Sequence, residues 1–275
     1  MRLSRLSLLL VLATALLLSP AAFAQEDPSG LTRDQMREFL LKAKIVKSRD
    51  IGKGVTSPKR LTLTNGTLTH DGAFQAVDER QTVANLSGQK GSSVELNFVD
   101  AYRYNLAAYE LSKMLDIDHM MPVHVERGWN GKTRSLSWWA DVMMDEGERL
   151  KKKVEAPNPV EWNNQMYRMR VFSSLVRDTD RNLGNVLITP QWKLLMIDFT
   201  RAFRLHPEIA SPKDLSRGDR ALLAKLETLN KDAVKKLVKD YLTGAEIDAM
   251  IKRRDLIVAH YKQLVAEKGE AAVLY

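Results

Sequence analysis

The stretch Arg177–Phe199, RDTDRNLGNVLITPQWKLLMIDF, contains the residues that decide the fold. Its first part is rich in Asp, Asn and Gly, which favour loops over helices and strands. Two short apolar runs follow, at 186–188 and 193–197, with Thr-Pro-Gln at 189–191 between them. This pattern predicts a β-hairpin that directly follows a polar loop.

Three oxygen-bearing side chains of this stretch are candidates for a metal–phosphate site. Asp180 and Asn185 are five residues apart in the predicted loop, and Asp198 comes directly after the second predicted strand. The hairpin would therefore return Asp198 to the loop. A carboxylate that orients a hydroxyl, with an amide and a second carboxylate for a hard cation, is what metal-assisted phosphoryl transfer requires.

The first 24 residues have the pattern of a secretory signal peptide. Arg2 and Arg5 form a basic start, Leu6–Leu18 is almost wholly apolar, and Ala22-Phe23-Ala24 is a small-x-small cleavage signal. The apolar run is short for a membrane span, although an uncleaved N-terminal anchor is the alternative. We therefore expect an exported protein, periplasmic or extracellular, with no transmembrane segment after cleavage.

Composition limits the function without choosing it. The chain has 275 residues and no Cys, so after export it must be held together by core packing rather than by disulfides. A net charge of +8 favours anionic partners such as nucleotides or phospholipid headgroups. No nucleic-acid partner is expected, because the basic runs at 151–153 and 252–254 have no interleaved aromatic residues. A polyanion-binding surface protein is a third, more general alternative.

The residues before 146 alternate in the manner of a β-rich domain. A helix is predicted over 31–47, with Thr32 as its N-cap. About three antiparallel strands are predicted between residues 60 and 77, with a tight turn at Asn65-Gly66. The other predicted elements here are a polar mobile loop at 78–93, a helix at 99–115, and strands at 121–125 and 135–139.

The residues after 145 are predicted to be mainly helical. Apolar residues recur every three or four positions over 160–176, which predicts a long buried helix that leads into the Asp180 loop. An irregular stretch is predicted at 200–217, and Thr243 with Glu246 forms a capping-box pair. The last three helices are predicted at 222–229, 233–242 and 245–267. The chain thus divides into a signal peptide at 1–24, an N-terminal lobe at 25–145 and a C-terminal lobe at 146–275.

At these residues the chain resembles the protein-kinase-like superfamily. It is most similar to the atypical branch with phosphatidylinositol 3/4-kinases, HipA-type toxin kinases and the secretory-pathway casein-kinase-like group. The similarity is in DRNLGN at 180–185, MIDF at 196–199 and the hairpin between them. The resemblance implies an α+β, bilobal fold. A small antiparallel-sheet lobe with one helix would precede a helical lobe with the catalytic loop and β-hairpin.

The resemblance also implies roles for the three side chains. Asp180 would be the catalytic residue that orients the attacking hydroxyl or accepts its proton. Asn185 and Asp198 would hold Mg²⁺ or Mn²⁺, which bridges the phosphates of ATP or another nucleotide. Asp178 either stabilises the loop or contacts the substrate, and the sequence favours neither role over the other. Arg181 is expected to stabilise the loop.

The N-terminal lobe departs from the family pattern. Kinases pair a strand Lys with a helix Glu, but the matching positions here are Gln75 and Asn105. Losing both charges costs less than burying one of them alone. A different register would give these roles to other charged residues: Lys59, Lys90 and Glu110. Trp138 lies near the predicted crossing between lobes. Its ring would either line an adenine pocket or pack in the core.

The sequence predicts two alternative functions, because its loop matches the family pattern and its N-terminal lobe departs from it. The first is an exported kinase-like enzyme that transfers phosphate, or a nucleotidyl group, to an acceptor that is a protein, a lipid or a small molecule. The second is a pseudokinase, a secreted binding or regulatory module that has the fold without turnover. The set Asp180, Asn185 and Asp198 favours the enzyme, whereas Gln75 and Asn105 favour the pseudokinase.

Overall fold

The computed structural model of the protein describes residues 30–52, 58–88 and 91–275. For residues 85–88 and 91–93 it describes the backbone alone. The predicted signal peptide at 1–24 lies outside the described residues. The fold is α+β, with an antiparallel sheet in the N-terminal part and helices in the C-terminal part.

The N-terminal part is built on a five-stranded antiparallel sheet with the strand order β1-β2-β3-β7-β6. Two helices, α1 and α2, accompany the sheet, and β4 and β5 form a separate two-stranded ribbon. These elements are α1 (Arg33–Lys42), β1 (Lys44–Asp50), β2 (Lys59–Thr64), β3 (Thr69–Gln75), β4 (Asp78–Gly88), β5 (Gly91–Ala101), α2 (Arg103–Met114), β6 (His124–Trp129) and β7 (Lys132–Trp138).

The two faces of this sheet differ in chemistry. Strand side chains alternate between faces, and one face carries apolar residues that are buried against α1 and α2. These core residues include Leu61, Leu63, Phe74, Leu136 and Trp138. The other face, here called the cleft face, is polar and carries Arg60, Thr62, Asp71, Gln75 and Ser135.

Several local predictions in this part were wrong. Residues 60–77 contain two strands, β2 and β3, rather than about three, and the strand predicted at 121–125 begins only at His124. The first helix ends at Lys42, and the chain continues as β1, so the predicted helix over 31–47 contains a strand. The predicted mobile loop at 78–93 lies largely in the ribbon of β4 and β5, which pair from Asp78↔Ala101 to Gly88↔Gly91. The predicted helix at 99–115 begins only at Arg103. The secondary structure of these segments is set by the strands with which they pair. The periodicity of a single segment does not reveal such pairing.

The C-terminal part is helical, with one small sheet. Its long helix α4 begins with Asn158 as N-cap and Pro159 at the first position, and ends at Leu175, close to the predicted bounds. The irregular stretch after Asp198 and the capping box of Thr243 with Glu246 are also confirmed. The elements are β8 (Met144–Asp145), α3 (Glu146–Lys152), α4 (Pro159–Leu175), β9 (Val186–Ile188), β10 (Leu194–Met196), α5 (Arg220–Thr228), α6 (Lys231–Val238), α7 (Gly244–Lys268) and α8 (Glu270–Val273).

The two parts are joined by packing as well as by the chain. Helix α2 packs on α6, and the Tyr104 hydroxyl donates a hydrogen bond to the buried carboxylate of Glu246. The Tyr104 ring also packs on Phe203, with 5.5 Å between ring centroids. Among the helices within the described ranges, none has the length and apolar character needed to cross a membrane.

Candidate active site

The loop after α4 is connected to the hairpin through the backbone of Asn185. β9 and β10 pair antiparallel, as predicted, with Met196 opposite Val186. The Ile197 N–H donates to the carbonyl oxygen of Asn185 at 3.1 Å. The Asn185 side chain in turn donates from Nδ2 to the carbonyl oxygen of Asp180 at 3.0 Å. The hairpin therefore returns the residue before Asp198 to the loop that carries Asp180 and Asn185.

A buried ion pair holds the shape of this loop. Arg181 donates from one nitrogen to the carbonyl oxygens of Asn185 at 2.9 Å and Ile197 at 2.6 Å. Its other terminal nitrogen lies 2.5 Å from the carboxylate of Asp178, whose side chain is fully buried. Burial raises the pKa of Asp178, while the Arg181 guanidinium and the Asp180 N–H oppose that change. Both residues are thus part of the scaffold of the loop.

Asp198 is held by neighbours from both parts of the molecule. Its backbone has φ +57°, a left-handed conformation that Asp tolerates better than most residues. Its Oδ1 accepts hydrogen bonds from Gln75 Nε2 at 3.2 Å and from the Thr200 hydroxyl at 2.9 Å. These two bonds leave Oδ2 without a hydrogen bond from any described residue, so it is available to a ligand.

Gln75 and Asn105 form a bridge of neutral amides to Asp198. Asn105, on α2, is fully buried, and its Nδ2 donates to Gln75 Oε1 at 2.6 Å. Its Oδ1 accepts the backbone N–H of Phe199 at 2.7 Å. The bridge therefore runs from helix α2 through Gln75 to Asp198, and it occupies the two positions that the family resemblance assigned to a Lys–Glu ion pair.

The alternative charged residues have other partners. Lys59 forms an ion pair with Asp50, and Glu110 pairs with Lys113 at 2.8 Å on the same helix. Lys90 lies outside the described residues. Asn65-Gly66 is an ordinary turn, in which the Asn65 side chain accepts the N–H groups of the next residues.

Trp138 does not lie with the other predicted site residues. It is buried in the core, where it stacks on His70 at 3.6 Å between centroids and packs edgewise on Phe39 at 5.8 Å. The next residue, Trp139, lies on the cleft face instead, with the Arg60 guanidinium 4.0 Å from its ring centroid. Strand alternation explains this difference between adjacent tryptophans.

The donor set suits a hard cation. Asn185 uses Nδ2 for the loop, which leaves its carbonyl oxygen free, and Asp198 keeps Oδ2. Carboxylate and amide oxygens are the ligands that Mg²⁺ and Mn²⁺ accept. Over residues 30–52, 58–88 and 91–275, no group of three or more His, Cys, Asp or Glu side chains is placed to hold a metal. A cation bound at this corner would also need amide, water or phosphate oxygens as ligands.

Two residues near Asp198 were not predicted from the sequence. Thr200 follows Asp198 by two positions and donates to its carboxylate. Asp100, at the end of β5, contacts Thr200, and burial and the Asp198 charge raise its pKa. Thr200 has a local signal, since it is adjacent to the Asp198-Phe199 pair. Asp100 has none, because it is brought near by the backbone bond from Ala101 to Thr200, two residues far apart in the sequence.

The comparisons with known proteins agree with this architecture. No protein-family model matches the chain, and no curated protein matches it by sequence. The structure is similar to that of a hydra Fam20 protein solved with sugar, with a TM-score of 0.63 and 14% identity over 88% of this chain and 91% of that one. It is also similar to the Golgi casein kinase, with a TM-score of 0.59 and 12% identity over 88% and 78% of the two chains.

A third similar structure is a bacterial one, the Helicobacter pylori proinflammatory kinase CtkA. Its TM-score is 0.51, with 8% identity over 83% of this chain and 98% of that one. Identities this low show the fold alone. The chain therefore has an atypical protein-kinase-like fold, as the sequence resemblance predicted. The secretory casein-kinase-like structures are among those it resembles.

Proposed function

We propose that this protein is a phosphotransferase that moves a phosphoryl group from a nucleotide to an acceptor hydroxyl, with Mg²⁺ or Mn²⁺. The observation that supports the proposal best is the hydrogen-bonded connection of Asp180, Asn185 and the Ile197–Asp198 corner. The Golgi casein kinase and the kinase CtkA have a similar fold. Preorganised oxygens at such a corner are what phosphoryl transfer requires, because positioning and charge stabilisation provide most of its rate.

The residues have distinct roles in this proposal. Asp180 orients the acceptor hydroxyl and takes its proton, and Asn182 holds the Asp180 carboxylate from one side at 3.3 Å. Asn185 and Asp198 hold the cation, which when bound neutralises charge on the nucleotide phosphates. The Gln75–Asn105 bridge fixes the rotamer of Asp198. The nucleotide lies against the cleft face, where Trp139 and Arg60 offer a ring and a guanidinium.

The first experiment measures metal- and nucleotide-dependent thermal shift together with label transfer. ATP with label in the γ or the α position separates phosphoryl transfer from nucleotidyl transfer. We expect Asp198→Ala to lose both the shift and the transfer. We expect Asp180→Asn to keep the shift and to lose transfer by about 10²- to 10⁴-fold, since it removes the proton acceptor alone. Absence of a shift with any nucleotide would contradict the proposal.

A pseudokinase is the second candidate, and one specific observation favours it. The positions of the Lys–Glu ion pair are held by the Gln75–Asn105 bridge, which offers no cation to the α- and β-phosphates. A metal- and nucleotide-dependent shift in the wild-type protein, with no transfer of either label, would support this candidate over the enzyme.

The proposed location is outside the cytoplasm, in a periplasm or extracellular space. It rests on the signal-peptide pattern of residues 1–24, with its basic start and its cleavage signal before Gln25. Expression of the full chain, followed by fractionation and N-terminal sequencing, tests it. A mature protein that begins at Gln25 is the expected result, and full-length protein in the cytoplasm would contradict the proposal.

A further inference from the structure

A second carboxylate lies beside the proposed metal site, on the ribbon of the N-terminal part. Asp100 is the penultimate residue of β5, and the backbone N–H of Ala101 donates to the carbonyl oxygen of Thr200 at 2.8 Å. This bond joins the end of the ribbon to the segment that follows Asp198. The backbone next to Asp100 is therefore fixed against the segment that follows Asp198.

The Asp100 carboxyl lacks the partners that a buried charge needs. The residue is 9% exposed, and its Oδ1 is buried without a hydrogen bond to any described residue. The nearby Arg201 forms its ion pair with Glu95 at 2.9 Å. Its charge also acts on the Asp100 carboxyl, but none of the ion pairs among the described residues includes Asp100. A buried carboxylate oxygen without a partner is costly, so a cation bound at this atom would be stabilising.

The Thr200 hydroxyl stands between two carboxyl groups. It donates its proton to Asp198 Oδ1 at 2.9 Å, and it also contacts the carboxyl of Asp100. A hydroxyl has one proton to donate. Two carboxylates cannot both be satisfied by it, so a positive charge placed between Asp100 and Asp198 would stabilise both groups. A divalent cation provides that charge and uses the free oxygens of both residues.

We propose that Asp100 is a further ligand of the divalent cation that Asp198 holds. This inference rests on the proposed function and extends it, because it adds to the metal site a carboxylate from the N-terminal part. Mg²⁺ sites in proteins commonly use one or two carboxylates with water and phosphate oxygens. With Asp100 and Asp198 the site has two, and Asn185 adds an amide oxygen.

The test measures binding of Mn²⁺ alone, by electron paramagnetic resonance of the free ion and by thermal shift, without nucleotide. The variants are Asp100→Asn, Asp198→Asn and Asp248→Asn. Asp248 is a matched control, since it is an exposed carboxylate on α7 that pairs with Lys231 away from the cleft. We expect Asp100→Asn to weaken Mn²⁺ binding on the order of 10-fold or more, and Asp248→Asn to leave it unchanged.

The metal-free proteins give a second readout with the opposite sign. Asp100→Asn removes a buried charge without a partner, so its midpoint of urea unfolding without metal should equal or exceed that of the wild type. Asp100→Ser is the second variant, and the same loss of Mn²⁺ affinity is expected from it. Wild-type affinity in both Asp100 variants, with loss in Asp198→Asn, would overturn this inference and leave the proposed function intact. No Mn²⁺ binding by the wild type would overturn both.

Discussion

The two halves of the site hold their functional side chains by opposite means. In the C-terminal half a buried ion pair, Asp178 with Arg181, fixes the loop of Asp180 and Asn185. In the N-terminal half the neutral side chains Gln75 and Asn105 form the connection to Asp198. The comparison shows that the orientation of Asp198 does not require a charged pair on the N-terminal side.

Desolvation explains why a neutral bridge is stable there. Asn105 is fully buried, and a carboxylate at that depth would lose several kcal/mol of hydration unless a cation were paired with it. Two amides satisfy each other and the Phe199 N–H at much lower cost. The bridge therefore orients Asp198, whereas the cation that a Lys would offer to phosphate is absent from these two positions.

The largest expected effect comes from breaking the charged half. Arg181→Met leaves the buried Asp178 carboxylate unpaired and frees two carbonyl oxygens, so we expect a loss of about 3–5 kcal/mol in the free energy of unfolding by urea. Arg168→Met is the control, because its ion pair with Asp219 is partly exposed and should matter less. A double variant, Asp178→Asn with Arg181→Met, should recover part of the loss; an equal or larger loss would contradict the ion-pair explanation.

The next effect tests the neutral half by introducing charge. Asn105→Asp is nearly isosteric, but it buries a carboxylate against an amide oxygen, and we expect a loss of about 2–4 kcal/mol in stability. Adding Gln75→Lys introduces a cation beside the new carboxylate, so the double variant should recover at least half of that loss in a double-mutant cycle. Simple additivity of the two changes would show that Gln75 and Asn105 act independently.

A smaller effect is the pH dependence of the unfolding free energy, to which a buried histidine of the N-terminal half contributes. Burial lowers the pKa of His124, on β6 of the N-terminal part, to about 4 from 6.5. The unfolded chain therefore binds more protons between pH 6.5 and 4, and stability falls as the pH falls through that window. We expect a loss of about 2–3 kcal/mol from this group between pH 7 and pH 4.5. His124→Asn should remove that part of the dependence, and an identical pH profile would refute the assignment.

The smallest effect weakens the contact between the parts. Tyr104→Phe removes the hydroxyl that binds Glu246, and we expect a loss of about 1 kcal/mol in unfolding free energy, because the carboxylate keeps its capping bonds to Thr243. Tyr167→Phe is the control, since its hydroxyl makes no hydrogen bond to the described residues. Equal effects in the two variants would show that the hydroxyl contact is not stabilising.

The sequence predicted the parts of the site that are close together along the chain. The loop, the hairpin and the return of the Asp198 corner follow from turn residues and two apolar runs between 178 and 198. The long helix before them was predicted from its periodicity, because a buried helix repeats its apolar face every three to four residues. The family resemblance then gave the fold as a whole.

The sequence did not predict contacts that depend on distant pairing. Asp100 lies near Thr200 because the Ala101 N–H donates to the Thr200 carbonyl oxygen, whereas the sequence placed Asp100 in a helix predicted at 99–115. The hydrogen bond between Asn105 and Gln75 joins positions whose types were noted but whose contact needs the packed helix α2. The choice between Trp138 and Trp139 likewise depended on which face of the sheet each residue occupies.

The neutral bridge has a consequence for the response to ionic strength. Dissolved ions screen the attraction between charged side chains over roughly 10 Å at 0.1 M salt, but they have little influence on a hydrogen bond between buried carboxamides. The orientation of Asp198 by Gln75 and Asn105 is thus insulated from the surrounding electrolyte. At high and at low salt concentration, the Asp198 carboxylate should therefore present the same rotamer to a cation that binds there.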